Sequence, residues 1–584
     1  MKNRVLLLLS LLALIVRFTP FLQGQVVSGS ITGTVTDPTG AAVPAADIQA
    51  TNADTGVQLS AKTSGSGYFS VSNLIAGTYT VLISAPGFKE LSRSGIVVDI
   101  GSIVRLDSKL EVGTVQQKIS VSSEGPQLQT DKVELGITIN STQLVDLPSE
   151  GRNPTALAAI QAGIVMSPGN TGVPGAGGSA NYSFQANGHR AQLNRQLLDG
   201  VDDTEGVGGA AAIVPSTDEL QEYQLVTSNY DIELGQAAGA MQIFTTKSGT
   251  NQLHGNVHEF NRVNYLSARN PFTEPNGPGH LVYNQFGGIL GGPILRDKLF
   301  AFGYYEGYRY RSGGGVLTTV PVPAFRAGDF SSLAATNPIF DPTTGGAQGV
   351  GRTQFLNNQI PASQISPISS ALLAALPLPN IPGAGANNNF VAPSISPINV
   401  DLGTVRIDYT LSDATRIFGR YTRQQGNQSS EVPAFGELIF PGSGTQTGKQ
   451  NSAVADVTHV LKPNFIIEGR FGWSYNLWSA NSLDQNKNTS QDFGIPNLNN
   501  ACSACGGIAG FQIGGPVGAF SFGNTSHSHQ VDNYGKYNFV EIGTWTHGAH
   551  TIKFGSDLLL AWRDRRDTSS QGDFGCVKGW QDIL

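Results

Sequence analysis

Between Phe465 and Tyr475 the character of the chain changes at every residue. Phe465, Ile467, Gly469, Phe471, Trp473 and Tyr475 share one parity, and Ile466, Glu468, Arg470, Gly472 and Ser474 share the other. Strand side chains point alternately to the two faces of a sheet, so this run offers one apolar, aromatic face and one face bearing an acid and a base. Ile552 to Trp562 repeats the form, with Phe554, Leu558, Leu560 and Trp562 opposed to Lys553, Asp557 and Arg563. Strands of about 10 residues, apolar towards lipid and polar towards a lumen, build transmembrane β-barrels. Soluble sandwiches alternate too, so one strand does not separate the two. Aromatics near strand ends, Tyr304, Tyr305, Tyr308, Trp473, Tyr475, Trp545 and Trp562, are expected to form an interfacial girdle. No segment beyond the N-terminus offers 18 consecutive apolar residues, so a membrane location requires a closed barrel, the strand structure that satisfies its own backbone in lipid.

The composition agrees with extended structure. Charged residues make up 14% of the chain and Gly 72 of 584 residues, few charges and many tight turns. A length of 584 predicts several separate units. The net charge of −7, without a Lys/Arg-rich block, excludes a nucleic-acid footprint. Lys2 and Arg4, the apolar run Val5 to Val16, then Pro20 and Gly24 have the layout of a secretory signal peptide over residues 1–24, with a short membrane anchor as the alternative.

From Ser28 to Val112 short alternating runs recur at Ile31–Thr36, Asp47–Asn52, Tyr68–Val71, Thr78–Ser84, Ile96–Ile100 and Val104–Leu110, with turns such as Asp37-Pro38-Thr39-Gly40 between them. Regular short strands of this kind predict a β-sandwich over 25–112. The wording from "GSITGTVTDPTGAAVPAADIQATNADTG" to "SGSGYFSVSNLIAGTYTVLISAPGFK" resembles the carboxypeptidase regulatory-like domain family. The resemblance implies a transthyretin-like, carbohydrate-binding-like sandwich. It does not imply peptidase activity, because this stretch contains no histidine for a zinc pair.

Between Thr114 and Lys247 the chain turns polar and rich in Gly, Asn and Gln, with an amphipathic helix expected over Pro154–Ala162 through Leu157 and Ile160. Leu147–Val165 ("LPSEGRNPTALAAIQAGIV"), Phe184–Gly206 ("FQANGHRAQLNRQLLDGVDDTEG") and Val226–Gly255 resemble the plug of TonB-dependent transporters, in particular the Oar-like group that carries the sandwich in front. Glu150 departs from the Asn more usual there. The resemblance implies a mixed α/β plug over 113–250 inside a wide barrel, whose lumen would otherwise stand open. Arg152, Arg190, Arg195, Asp199, Asp202 and Asp203 are its expected polar contacts, with each other or with the inner wall; a solvated loop of a soluble domain is the plainer alternative. Thr114, Val115, Gln116, Gln117, Lys118, Ile119, Ser120 and Val121 occupy the place of a TonB box, which a periplasmic partner binds by strand addition; a plain linker strand is the alternative.

"NQFGGILGGPILRDKLFAFGYYEGYR" (Asn284–Arg309) and "QIPASQISPISSALLAALPLPN" (Gln359–Asn380) resemble the Oar-like barrel, expected over 251–584 with a long loop at 312–399 that helps to collect substrate. About 330 residues after Gly255 are too few for ~22 strands, so a C-terminally truncated, incomplete transmembrane antiparallel barrel is expected. The fold class is therefore mainly β.

Catalytic chemistry is not expected. Cys502 and Cys505 form a lone CxxC, read as a disulfide stapling an exposed loop rather than a redox site, and Cys576 adds no zinc set. Of the close histidine pairs, His254/His258, His527/His529 and His547/His550, the two-residue spacing of His527/His529 is the one that sets neighbouring side chains on one face of a strand, and no third ligand stands nearby. No cofactor, metal or nucleophile elbow is expected. The patterning and the resemblances together imply a TonB-dependent receptor in the cell outer membrane, its sandwich in the periplasm. Its partners would be a TonB-type energy-transducing protein, outer-membrane lipid and a ligand left open among siderophores, oligosaccharides and peptides. A surface-displayed adhesion or carbohydrate-binding protein is the alternative, and a secreted peptidase accessory protein a third.

Overall fold

The structure is a computed structural model. It describes residues 28–113, 118–122, 134–167, 183–206, 209–230, 234–235, 237–268, 280–346, 348–441, 443–462, 464–496, 506–514, 520–523, 530–547 and 550–567. The signal-peptide expectation over 1–24, all three cysteines and His527/His529 lie outside the described residues.

The first unit contains β1 (Gly29–Thr36), β2 (Asp47–Asn52), β3 (Gln58–Lys62), β4 (Tyr68–Leu74), β5 (Gly77–Ser84), β6 (Glu90–Val98), β7 (Ile103–Arg105), β8 (Ser108–Lys109) and β9 (Lys118–Ser122). One sheet runs β4-β1-β7 with β8 also on β1, and the other runs β3-β2-β5-β6-β9. Between them lie Ile31, Val35, Ile48, Ala50, Val81 and Ile83, each fully buried. These are the same-parity positions of their strands, which is why period-two patterning located them. β3 escapes the pattern because its inward residues are only Leu59 and Ala61. The run expected at Val104–Leu110 is two strands: Asp107 interrupts it, accepting from the Thr34 backbone N–H and hydroxyl at 2.9 and 2.8 Å.

The middle unit contains β10 (Leu135–Asn140), β11 (Ile164–Met166), β12 (Phe184–Ala186), β13 (Arg195–Leu198), β14 (Val201–Asp202), β15 (Leu220–Ser228) and β16 (Met241–Thr246). Five of them form a sheet in the order β10-β15-β16-β13-β14. The helix expected at Pro154–Ala162 is a seven-residue 3-10 helix, Pro154–Ile160. Leu157 and Ala158 enter the core, but Ile160 stands at the exit of the last turn and is exposed.

The remaining strands are β17 (His254–Val263), β18 (His280–Leu295), β19 (Leu299–Gly313), β20 (Gly315–Thr318), β21 (Phe390–Pro393), β22 (Ser396–Ser412), β23 (Thr415–Ser430), β24 (Gly444–Lys462), β25 (Phe465–Ser482), β26 (Phe511–Ile513), β27 (Phe520–Phe522), β28 (Gln530–His547) and β29 (His550–Asp567). Nine of them form one antiparallel meander, β17-β18-β19-β22-β23-β24-β25-β28-β29. Short turns join them on one rim, as at Arg296–Lys298 and Asp413–Ala414. The strands separated by the longer intervals 264–279, 314–395, 431–443 and 483–529 end and begin at the other rim. The interval expected as one long loop folds: Val320, Leu372 and Phe390 share a core with Phe435 and Leu438 of the next long connection, and with Ile495, Ile508 and Phe522 of the one after. Three connections thus make one cap.

Val405, Ile407, Tyr421, Phe471, Phe539, Leu558 and Trp562 point away from the middle unit and are exposed, the apolar band of a lipid-facing wall. Tyr305 belongs to this outer face, but Tyr304 and Tyr308 do not belong to the expected girdle. Both share the parity of Glu306, point inward and are buried. Glu306 accepts hydrogen bonds from Tyr304 and Gln285, and so sets the inward parity of β19.

A Cβ added to Gly33 would stand 2.2 Å from the Leu106 carbonyl oxygen, whereas one added to Gly65 meets nothing within 4 Å. Gly33→Ala is expected to cost the sandwich about 1–3 kcal/mol, read as faster hydrogen exchange of β1 and β7 amides in the intact protein. Gly65→Ala should leave those rates unchanged. Equal rates in both variants would contradict the packing described.

Candidate functional site

The middle unit meets the barrel wall through the β13–β14 hairpin. Its two-residue turn is Asp199-Gly200, with φ of +49° and +75°. Positive φ at both turn positions matches the twist of a tight hairpin, and Asp-Gly is a favoured pair for it. The hairpin ends among charged wall residues.

Asp199 accepts from the Thr246 backbone N–H and hydroxyl, each at 2.9 Å. It also meets Arg406 Nη1 of β22 at 3.2 Å and Arg420 Nε of β23 at 2.7 Å. Arg470 of β25 donates to the Gly200 carbonyl at 3.3 Å, and Arg420 to the Leu198 carbonyl at 3.4 Å. Two of these arginines have wall partners of their own: Arg406 pairs with Asp408 at 2.8 Å, and Arg470 with Asp456 at 2.9 Å and with Glu468. Arg420 differs. Fully buried, it has Asp199 as its one ion-pair partner among the described residues. Beside it, Val201 packs where a Cβ on Gly472 of β25 would come within 2.6 Å of its Cγ1, so that glycine admits the hairpin.

One step along, Asp202 pairs with Arg195 at 3.0 Å and with Lys536 of β28 at 2.5 Å, and its backbone N–H donates to Asn538 at 3.1 Å. Arg195 reaches Asp557 of β29 at 3.0 Å. Arg152 pairs with Asp218 inside the middle unit at 2.5 Å and lies 4.5 Å over the Phe260 ring of β17. His258 of β17 stands 3.7 Å from Asp218 and 3.6 Å from Glu306. Arg190 is exposed and joins no ion pair among the described residues. Of the six polar residues singled out in the sequence, Arg195, Asp199 and Asp202 therefore come together on the wall, and Arg152 reaches it by stacking.

Asp203 is buried behind the hairpin and accepts from the Ile213 N–H at 3.2 Å. Burial pushes its carboxyl from 3.8 up to about 8. Glu219, also buried, is pushed from 4.5 up to about 8 by the same cause.

The first unit is fixed at the short-turn rim. Ile100 N donates to Glu222 of β15 at 3.0 Å. Asn251 donates to the Asp54 and Thr55 carbonyls at 3.1 and 2.8 Å, while holding the Asp297 turn at 2.7 Å. A cavity of about 150 Å³ remains where the three units meet, lined by Asn52, Thr55, Thr246, Arg406, Arg416 and Asp456 among others. Of the TonB-box candidate, Thr114–Gln117 lie outside the described residues, while Lys118–Ser122 form β9, parallel to β6.

Arg406, Arg420, Asp456, Lys536 and Asn538 escaped the sequence reading. Their signal is parity: Val405-Arg406-Ile407 and Gly419-Arg420-Tyr421 set a charge between outward residues at mid-strand.

Asp199→Asn leaves Arg420 buried without its carboxylate and is expected to loosen the hairpin by about 3–5 kcal/mol. Accelerated hydrogen exchange of β13 and β14 reads this out, and wild-type rates would sink it. For Asp203 and Glu219 the folded-state values are raised. Their contribution to stability is then full below about pH 4 and is lost as pH rises to and through about 8. Melting of the middle unit should fall from pH 6 to pH 9, and Asp203→Asn with Glu219→Gln should flatten that slope. A slope unchanged in the double variant would assign it elsewhere.

Two protein families match this architecture. The family described as "Outer membrane beta barrel domain" matches residues 245–581, and "Carboxypeptidase regulatory-like domain" matches 30–111. The TonB-dependent transporter Oar of Myxococcus xanthus is 25% identical over 285 residues, 47% of this chain and 26% of that protein. The chain thus spans about a quarter of the length of this curated relative. Among solved structures, the outer membrane transporter YddB from Escherichia coli has 11% identity and a TM-score of 0.44, covering 73% of this chain and 48% of that one. The siderophore receptor PirA from Acinetobacter baumannii has 11% identity and a TM-score of 0.41, covering 74% and 49%. With the barrel family matching more than half of its length, this chain belongs to the outer membrane β-barrel family, carries a carboxypeptidase regulatory-like unit in front, and resides in the outer membrane.

Proposed function

We propose that the chain belongs to a TonB-dependent outer membrane receptor. The cap on the long-connection rim collects an external ligand, and the middle unit is a plug that closes the lumen until an inner-membrane energy transducer shifts it. The observation that carries this reading is the seam: Asp199, Asp202 and Arg195 meet Arg420, Lys536 and Asp557 of the wall through ion pairs. Water can replace such partners when the surfaces part, so a seam of this kind suits two parts that must separate and rejoin. The work asked of it is differential binding between closed and open states, with no bond chemistry.

The contacts of the first unit at the Asp297 turn, opposite the cap, support a periplasmic position, since such barrels keep their short turns on that side. An adhesin would need the sandwich on the cap side. The relative from Myxococcus xanthus is a TonB-dependent transporter, which supports a TonB-type partner here. Siderophores, oligosaccharides and peptides are the ligand classes to be screened.

Cells carrying the intact receptor should take up a labelled compound from one of these classes only while the inner-membrane proton gradient stands. Deleting Thr114–Ser123 should abolish that uptake and leave surface binding intact. Uptake that survives either the deletion or an uncoupler would remove the transporter reading.

A further inference from the structure

His258 of β17, Gly287 of β18 and Glu306 of β19 stand in one register row across three neighbouring strands. Residues directly opposite in an antiparallel ladder share a face, so the row points inward with Glu306. The glycine in the middle leaves the space that the flanking side chains use: a Cβ on Gly287 would come within 3.2 Å of His258 Nε2. Across that gap Nε2 stands 3.6 Å from Glu306 Oε2. From the middle unit Asp218 approaches the same ring, its Oδ2 3.7 Å from Nδ1. One donor atom from each of the three residues lies within 4.8 Å of the other two.

The imidazole is the unanswered member of this group. Both of its nitrogens are buried, and neither has a hydrogen-bond partner among the described residues, a costly state for polar atoms out of water. The carboxylates beside it are well held: Glu306 accepts from Tyr304 and Gln285, and Asp218 from Arg152. Imidazole and carboxylate together suit divalent transition metals, and ligands at such sites are oriented by outer hydrogen bonds of this kind. Ligand atoms around a four-coordinate ion stand about 3.4 Å apart at bond lengths of about 2.0–2.2 Å. The widest spacing here therefore closes by about 1.4 Å, within reach of side-chain rotation.

We propose that Asp218, His258 and Glu306 form a site for a divalent transition-metal ion of the zinc type, its fourth position left to water, and that the ion ties the middle unit to the barrel wall. Two ligands belong to the wall and one to the middle unit, so the set is complete only while the middle unit is seated. An ion that binds the seated state alone stabilises that state. Arg152, paired with Asp218, and Lys247, which donates to the Asp218 carbonyl at 2.8 Å, place two positive charges beside the site. They oppose a dication and make the ion exchangeable. The site needs the contact between middle unit and wall, and it stands apart from the TonB-dependent reading.

The test titrates the full chain in detergent micelles, stripped with chelator, with zinc and then with cobalt(II), whose visible spectrum reports coordination. Cys502, Cys505 and Cys576 are changed to serine so that thiolates do not compete. One ion per chain should bind at a site that His258→Ala and Asp218→Asn each abolish, while His254→Ala on the same strand leaves it unchanged. Tyr304→Phe keeps all three ligands but removes a hydrogen bond to Glu306, and should weaken binding about 10–100-fold. This variant decides the matter should either ligand variant fail to fold. Zinc should also slow hydrogen exchange of β15 and β17 amides at least about tenfold in the wild type and not in His258→Ala, as linkage requires. Binding indifferent to the ligand variants and to Tyr304→Phe would show an adventitious ion only and overturn the site. Exchange slowed by acid without metal, and not by zinc, would make the ring a protonated bridge between two carboxylates and overturn it equally.

Discussion

A guanidinium buried in a barrel lumen with one carboxylate to answer it among the described residues constrains what packs around it. Arg420 is that group, and Asp199 is the answer. Leaving a buried charge unpaired is strongly destabilising, so the wall at β23 is complete only when the β13–β14 hairpin is seated. The hairpin can seat because Asp-Gly permits positive φ at both turn residues and because Gly472 leaves room for Val201. The turn chemistry, the gap in the wall and the buried arginine are three local features that one contact requires together.

The wall shows how one backbone serves two solvents. On β23, Arg420 and Thr422 face inward while Tyr421 faces outward, and on β22 Arg406 faces inward between Val405 and Ile407. A strand at mid-membrane must pair every backbone group with its neighbours and can vary only its side chains, by parity. The inner face thus collects the acids and bases that the outer face cannot hold, and the middle unit needs matching charges to fill the space.

Parity also explains what the sequence disclosed. Strands with a strong contrast between faces, such as Asp47–Asn52 in the sandwich and Phe465–Tyr475 in the wall, could be read directly. β3 could not, since Leu59 and Ala61 give little contrast. Tyr304 and Tyr308 were misplaced by residue type, which names an aromatic but not its face; Glu306 between them held the clue. Arg195, Asp199 and Asp202 could be singled out by their setting in a polar, turn-rich unit. Their partners could not, because Asp199 and Arg420 are joined across more than two hundred residues by closure of the fold, and no spacing encodes which acid meets which base. The cap was hidden for a related reason: its core draws one or two apolar residues from each of several Pro/Gly-rich stretches, none periodic by itself.

The order of the middle sheet then connects the three units. Its strands run β10-β15-β16-β13-β14, with β10 at one edge and the Asp199 hairpin at the other. β15 carries Glu222, which holds Ile100 of the sandwich, and β16 carries Thr246, which shares Asp199 with Arg406 and Arg420. Loading β10 therefore acts on the edge farthest from the ionic seam, with β15 and β16 between. Unpairing an edge strand breaks its bonds in sequence, whereas moving the hairpin would unpair Arg420, Lys536 and Asp557 together. On the receptor reading, a pull from the periplasmic side thus opens the β10 side of the plug first and parts the ionic seam last, where the charges left unpaired favour reseating of the hairpin.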